Sequence, residues 1–210
     1  MNKKLAAGFL IVFFMGLVPI SCVEQCDGPC GCNPVFEAED FSITTFSIET
    51  LFRADKNFAF DPNRFYFHQT LYKAFWVSGL KPVTEAKPQE KGSFFLNTAY
   101  ACSPPESFSI ETLRSIRIIN KKTVTINANE KLQEGDIINE KFVLTQNFQQ
   151  EYDLTNFISN RHRFLKNERL YLKFISAPSS NIELTFDLEI ELDNGVTYRF
   201  DNEKMKMNGG

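Results

Sequence analysis

Histidine and tryptophan are scarce in this sequence, which contains only His68, His162 and Trp76 of these two types. Neither histidine stands at a metal-ligand spacing or within a recognisable nucleophile motif. A pair of catalytic carboxylates is the open alternative, since a fold can assemble such a pair without any local spacing. We therefore expect a non-enzymatic protein with no catalytic residue, no metal and no cofactor.

The sequence also lacks an excess of basic residues, with 23 Lys and Arg against 26 Asp and Glu and a net charge of −3. This balance argues against nucleic acid as a partner and against a polybasic contact with anionic lipid. Apolar residues make up 43% of the chain and include 22 phenylalanines, which is typical of a folded protein. At this length, one domain with its own hydrophobic core is expected.

The N-terminus carries an apolar run over 5–20, preceded by two lysines and followed by Ser21 and Cys22. This arrangement resembles a bacterial lipoprotein signal peptide and predicts removal of residues 1–21. The Cys22 thiol then takes a diacylglycerol, and two or more acyl chains make a stable membrane anchor. The residues at 19–20 depart from the strict pattern, so ordinary signal cleavage and an uncleaved anchor are the alternatives.

Four further cysteines, Cys26, Cys30, Cys32 and Cys102, follow the lipidation site. In an oxidising compartment an even number predicts two disulfides, and four cysteines allow three pairings. A bond between Cys30 and Cys32 is disfavoured by strain, and we expect Cys102 to join one of the other three. The N-terminal trio lies in a predicted tether over 22–35, whose spacing does not match a thioredoxin motif and disfavours a zinc site.

Downstream of the tether, apolar and polar residues alternate with a period of two. We predict an all-β fold over 36–202, a two-sheet antiparallel sandwich that is immunoglobulin-like in general architecture, with a flexible C-terminal tail over 203–210. One short crossover helix is predicted over 153–160, with Asp153 as its N-cap. In addition to the two strands of the C-terminal hairpin, strands are predicted over 40–51, 64–77, 93–101, 108–119, 123–127, 142–144 and 169–175.

The clearest strand is 182–192, where the apolar even-numbered residues share one face. The acidic residues of the other face are predicted to be a solvated surface and not a calcium site; they are Glu183, Asp187, Glu189 and Glu191. A hairpin follows, and only a three-residue loop with Gly195 in the left-handed conformation keeps the apolar faces matched. That loop places Leu192 opposite Val196 and Glu189 opposite Arg199.

The hexapeptide Phe-Ser-Ile-Glu-Thr-Leu occurs at 46–51 and again at 108–113. The residues that flank the two copies do not match, so we do not infer an internal repeat. Two strands in similar half-buried positions are the expected explanation.

Aromatic residues are concentrated in the segment 57–76, interleaved with Asn, Asp and Gln. Aromatic rings stack on the apolar faces of sugars, whereas amides and carboxylates bind the hydroxyls. Most of these rings are expected in the core of a phenylalanine-rich sandwich. Tyr66, Tyr72 and Trp76 are the candidate ligand-binding residues.

The chain resembles a family of Bacteroidota envelope lipoproteins with a domain of unknown function. The resemblance lies in the Ser-Cys junction, the Cys-rich tether, the segment 99–105 and the closing hairpin 192–196. It implies a single β-rich domain in the cell envelope, with Cys102 part of a structural disulfide. The expected function is a lipid-anchored binding or structural module of the outer membrane, periplasmic or surface-exposed, with a glycan or an envelope assembly or adhesion protein as partner.

Overall fold

The computed structural model describes residues 39–53, 60–83 and 106–210, which belong to one compact unit. The predicted signal peptide, the tether, all five cysteines and the strand predicted over 93–101 lie outside the described residues. Within these residues the elements follow in this order: β1 Phe41–Phe52, β2 Leu71–Pro82, β3 Phe108–Asn120, β4 Val124–Asn127, β5 Glu130–Leu132, a 3-10 helix Asn139–Lys141, β6 Phe142–Thr145, β7 Glu151–Asp153, α1 Leu154–Ser159, β8 Arg163–Leu165, β9 Arg169–Phe174, β10 Ile182–Leu192 and β11 Thr197–Met207.

The long strands form two layers. The front layer has the order β1-β2-β9-β6-β7, and the back layer has the order β3-β10-β11, with β8 beside the first part of β3. Neighbours within each layer are antiparallel. The layers are connected where Phe41 of β1 pairs in parallel with Ser109 of β3. The remaining strands, β4 and β5, form a separate small hairpin.

Side chains from the two layers meet in one hydrophobic core. The ring centroid of Phe46 in β1 lies 5.0 Å from that of Tyr198 in β11, and Phe142 in β6 lies 5.6 Å from Phe186 in β10. The Tyr198 hydroxyl also donates a 2.9 Å hydrogen bond to the carbonyl of Ile43 in β1. The predicted all-β, two-sheet sandwich is therefore confirmed.

Strand β10 has the predicted alternation, and all of its apolar even-numbered residues are buried. Its acidic face differs from the predicted solvated surface, because β10 lies between β3 and β11 and Asp187 is only 1% exposed. The Asp187 carboxylate accepts a 2.7 Å hydrogen bond from Arg199 and lies 3.1 Å from the Lys121 ammonium. Glu189 pairs with Arg199 at 3.1 Å. Neighbouring strands thus neutralise this face by ion pairs.

The loop between β10 and β11 has the predicted three-residue form. The Leu192 N–H donates to the Val196 carbonyl at 2.9 Å, and Glu189 stands opposite Arg199. Gly195 has a φ of +84°, the left-handed conformation that glycine adopts at no steric cost. The hairpin register is confirmed.

Helix α1 lies within the predicted range and has the predicted cap. The Asp153 carboxylate accepts a 3.1 Å hydrogen bond from the N–H of Asn156, which satisfies one of the unpaired donors at the helix start. Leu154 and Phe157 are buried. The single short helix predicted for this sandwich is therefore present.

The strand predicted over 64–77 begins only at Leu71. A turn precedes it, since the Arg64 N–H donates to the Asp61 carbonyl at 3.1 Å and Pro62 follows Asp61. Tyr66 pairs instead with Met207 at the far end of the chain. The first half of the predicted strand is therefore a connecting segment.

The prediction of a flexible tail over 203–210 is wrong for most of that segment. Strand β11 continues to Met207, and the side chains of Met205 and Met207 are buried in the core. The Tyr66 N–H donates to the Lys206 carbonyl at 3.1 Å, and the Asn208 N–H donates to the Tyr66 carbonyl at 2.8 Å. The C-terminal segment is thus held by backbone pairing on both sides.

The repeated hexapeptide forms a strand in both places but buries opposite faces. Phe46 is buried in β1, whereas its counterpart Phe108 is only half-buried in β3. Glu111 is buried, with its carboxylate accepting a 3.1 Å hydrogen bond from the N–H of Ile43, while Glu49 is more exposed. The two copies do not occupy similar positions, because each strand's partners set which face is covered.

Candidate functional site

The two faces of β2 have different surroundings. Lys73, Phe75 and Val77 point into the sandwich, so Tyr72 and Trp76 lie on the outer face of the front layer. Ala74 pairs with Tyr171 of the neighbouring strand β9, which places the Tyr171 ring on this outer face as well. Two of the three candidate ligand-binding residues therefore share one surface with a second tyrosine.

Four aromatic side chains lie on this surface, and we call them the aromatic strip: Trp76, Tyr171, Phe148 and Tyr72. The Phe148 ring centroid lies 4.2 Å from that of Tyr171 and 5.0 Å from that of Tyr72. Trp76 pairs with Arg169, two residues before Tyr171 on β9, and is therefore a diagonal neighbour of Tyr171. The two distances from Phe148 are those of favourable aromatic pairs, whereas Trp76 is placed beside Tyr171 by the strand register alone.

Phe148 reaches the strip from the loop between β6 and β7. Its φ is +64°, a left-handed conformation that is unusual for a bulky residue and is found preferentially at functional sites. The Phe148 N–H donates to the Thr145 hydroxyl at 2.9 Å, and the Asn147 side chain accepts from the N–H groups of Gln149 and Gln150. The loop thus holds one ring on the strip and surrounds it with exposed amide side chains.

An arginine lies over each of two rings of the strip. The Arg53 guanidinium carbon is 4.6 Å from the Phe148 ring centroid, and that of Arg169 is 4.3 Å from the Trp76 ring. Such distances are within the range of cation–π contacts. Arg169 also pairs with the carboxylate of Glu49 on β1. The strip therefore has hydrogen-bond donors as well as aromatic faces.

Tyr66, the third candidate, lies away from the strip. It is 4% exposed, its ring packs 4.5 Å from Phe52 and 5.5 Å from Phe60, and its hydroxyl accepts a 2.8 Å hydrogen bond from the N–H of Asp61. Tyr72 is 6% exposed beneath the Phe148 loop, with its hydroxyl donating to the Gln69 carbonyl at 3.2 Å. Trp76 is half-buried.

Sequence reasoning missed two members of the strip. Tyr171 had a signal, because the alternation over 169–175 turns Leu170 and Leu172 inward and Tyr171 outward. Phe148 had none, since it belongs to a loop and reaches the strip through a left-handed backbone.

Neither histidine is a member of the aromatic strip. His162 Nε2 is 3.0 Å from a Glu168 carboxylate oxygen. Burial acts to raise the pKa of Glu168, but the hydrogen bonds from His162, the Leu165 N–H and Gln146 outweigh it and hold that pKa below its usual range. Burial, helped by the charge of Lys173, lowers the pKa of His68. In the part of the chain that the structure describes, no three His, Cys, Asp or Glu side chains are grouped as metal ligands.

No family model, curated protein or solved structure matches this chain. No helix among residues 39–53, 60–83 and 106–210 has the length and apolar character needed to cross a membrane.

Proposed function

We propose that this chain is a lipid-anchored lipoprotein of the bacterial cell envelope whose sandwich is a non-enzymatic glycan-binding module. The basic N-terminus, the apolar run over 5–20 and the Ser21-Cys22 junction support the lipid anchor. Acyl chains on Cys22 hold the protein in the outer membrane. The resemblance to Bacteroidota envelope lipoproteins supports the same location.

The aromatic strip is the observation that supports glycan binding. Sugar rings have apolar C–H faces that pack on aromatic rings and hydroxyls that need hydrogen-bond partners. Trp76, Tyr171 and Phe148 are only half-buried, so they offer rings at one surface. The exposed side chains of Gln146, Asn147, Gln149 and Gln150 stand beside them as donors and acceptors. This combination fits an oligosaccharide better than an apolar peptide.

Arg169 takes part in glycan binding in this proposal, both by covering Trp76 and by supplying hydrogen-bond donors. Its guanidinium covers the Trp76 ring, where a sugar ring would stack, and its side chain is 44% exposed. A bound glycan displaces Arg169 from the indole, and the freed guanidinium donates hydrogen bonds to hydroxyls while Glu49 keeps it nearby. Ligand binding therefore changes the surroundings of the only tryptophan in the chain.

Calorimetric titration tests the glycan site. The full chain in detergent micelles is titrated with cellohexaose, xylohexaose, mannohexaose and a host N-glycan. We expect at least one oligosaccharide to saturate, and Tyr171→Ala to weaken its binding about tenfold, since one lost stacking contact is worth about 1.4 kcal/mol. Phe67→Ala is the matched control, because Phe67 is 63% exposed and lies outside the strip.

Two results would contradict the glycan site. One is the failure of every oligosaccharide to saturate. The other is an equal loss of affinity in Tyr171→Ala and Phe67→Ala, which would show that the strip has no special part in binding.

The anchor has a separate test in a bacterial host. Cys22→Ser removes the thiol that accepts diacylglycerol, so the variant is expected in the soluble fraction without an acylated N-terminal peptide by mass spectrometry. Cys102→Ser, which leaves the lipidation site intact, serves as the control. Membrane association of Cys22→Ser equal to that of the parent chain would refute lipid anchoring at this residue.

A further inference from the structure

A pocket lies at the edge strand β11, beside Lys73 of β2 and the segment 60–63, and residues from both faces of β11 line it. This pocket has a volume of about 390 Å³, and its lining includes Lys73, Glu203, Lys204 and Lys206. Small-molecule sites in proteins span roughly 300–1,000 Å³. Since Lys73 and Tyr72 are successive residues of one strand, they point to opposite faces, and the pocket is distinct from the aromatic strip.

A β-bulge in β11 shapes this pocket. The register against β10 shifts by one residue between Phe200 and Glu203, and Asn202 within the bulge has a φ of +57°. The extra residue reverses the alternation, so Glu203 turns inward while Lys204 and Lys206 lie on the opposite face. Bulges re-aim side chains in this way beside binding and active sites.

The inner wall of the pocket is a fixed ion pair. Lys73 is 2% exposed, and its ammonium donates to Glu203 at 2.8 Å and to the Thr50 hydroxyl. Burial lowers the pKa of Lys73, although the hydrogen bond to Glu203 acts to raise it. This wall presents charges that already compensate each other.

The outer rim of the pocket carries more positive than negative charge, unlike the compensated pair of Lys73 and Glu203. Glu183 is shared between two lysines, with its carboxylate oxygens 3.4 Å from the Lys204 ammonium and 3.7 Å from the Lys206 ammonium. Both distances are longer than a normal N–H···O hydrogen bond. Among the residues that line the pocket, three are lysines and two are glutamates, so the lining favours a ligand with one negative charge.

The rest of the lining is suited to a hydroxylated ring. Asn63 and Asn202 supply amide donors and acceptors, and Phe60 and Pro62 supply an apolar surface. We propose that the pocket binds a hexuronic acid, with its carboxylate on Lys204 and Lys206 and its hydroxyls on the two asparagines. This site goes beyond the proposed function, because it uses other residues and a charged ligand class.

The test compares D-glucuronate with D-glucose and inorganic phosphate, each titrated into the full chain in detergent micelles and followed by calorimetry. We expect D-glucuronate to bind at least tenfold more tightly than D-glucose and phosphate. The double variant K204Q/K206Q should lose about tenfold in affinity for D-glucuronate, as expected for two charge-assisted contacts. K122Q/K166Q, two exposed lysines elsewhere, is the matched control and should bind as the parent chain does.

Each other outcome overturns the proposal. If D-glucose bound as tightly as D-glucuronate, the lysines would not recognise the carboxylate. If phosphate bound as tightly as D-glucuronate, the pocket would recognise only a negative charge and not the sugar ring. Equal losses in the two double variants, or no saturation by D-glucuronate, would show that the pocket is not the site. Tyr171→Ala should leave D-glucuronate binding unchanged, which separates this pocket from the aromatic strip.

Discussion

The ring centroid of Phe148 lies 4.2 Å from that of Tyr171 although the Phe148 backbone is left-handed, with a φ of +64°. A bulky residue in that conformation costs roughly 1–3 kcal/mol. Packing of the ring on Tyr171 and Tyr72 offsets this cost. The loop between β6 and β7 is therefore held by the strip that it completes.

Phe148→Gly removes the ring and the backbone strain together. Because these two effects oppose each other, we expect the free energy of unfolding in urea to change by less than about 1.5 kcal/mol. Glycan affinity should nevertheless fall about tenfold, since a stacking ring is lost. Phe148→Leu, which keeps the strain but loses the ring, should be less stable than the glycine variant. Parent-like glycan binding by Phe148→Gly would remove Phe148 from the site.

Gly195→Val tests the hairpin. No heavy atom lies within 4 Å of a Cβ placed at Gly195, so the φ of +84° is the only obstacle. We expect the β-branched side chain to lower the free energy of unfolding by about 1–3 kcal/mol. Gly195→Asn is the control, because asparagine tolerates this conformation, and it should cost less than valine. An unchanged melting temperature for Gly195→Val would contradict the loop geometry.

Acid should weaken the fold through Asp187. Burial acts to raise the pKa of Asp187, but the Asn202 N–H, Lys121 and Arg199 outweigh it and hold that pKa below its ordinary value of 3.8. A carboxyl with a lowered folded pKa contributes stability in full above its unfolded pKa and loses it as the pH falls through the folded value. We expect the free energy of unfolding, measured with urea, to fall between about pH 4 and pH 2.

Two variants isolate the contribution of Asp187. Asp187→Asn should lower stability at pH 7 by about 1–3 kcal/mol and show a smaller further loss in acid, because its side chain no longer titrates. Glu189→Gln removes a carboxylate from the same face but at a more exposed site, so it should cost less. An acid-induced loss in Asp187→Asn as large as that of the parent chain would exclude Asp187 as the source.

Lys73 and Glu203 should behave as one unit. Glu203→Gln leaves a buried ammonium without its carboxylate and is expected to cost about 2–4 kcal/mol in the free energy of unfolding. The double variant K73M/E203Q buries no charge and should recover most of that loss. Urea denaturation of both variants measures the coupling. A double variant less stable than Glu203→Gln would contradict the pairing.

Much of the fold was predictable where one face of a strand is buried and the other is polar. The alternation in 182–192 and the placement of Gly195 predicted strand, register and loop together. Strands β5, β7 and β8 were missed, since each has three residues and too few positions to show a period. The sequence does not predict strand over 203–207, because the bulge after Phe200 interrupts the alternation and the pairing with Tyr66 is a long-range contact.

The repeated hexapeptide shows that a local sequence pattern can predict a strand but not which of its faces is buried. Identical residues form strands in both copies, yet Phe46 is buried and Phe108 is not fully covered. The candidate site was also only partly predictable. Tyr72 and Trp76 were predicted from the sequence, whereas the position of Phe148 depends on a left-handed loop conformation that no sequence pattern indicates. Tyr66 fails as a surface residue because the C-terminal strand and Phe60 cover it.

Fluorescence of Trp76 tests the glycan-binding claim most directly, since it is the only tryptophan in the chain. Arg169→Ala removes the guanidinium that lies 4.3 Å from the indole and should increase acrylamide quenching of the full chain. Adding the oligosaccharide that saturates in calorimetry should then shift the emission to the blue and protect Trp76 from quenching. Emission and quenching that stay unchanged at saturating oligosaccharide would contradict binding at the aromatic strip.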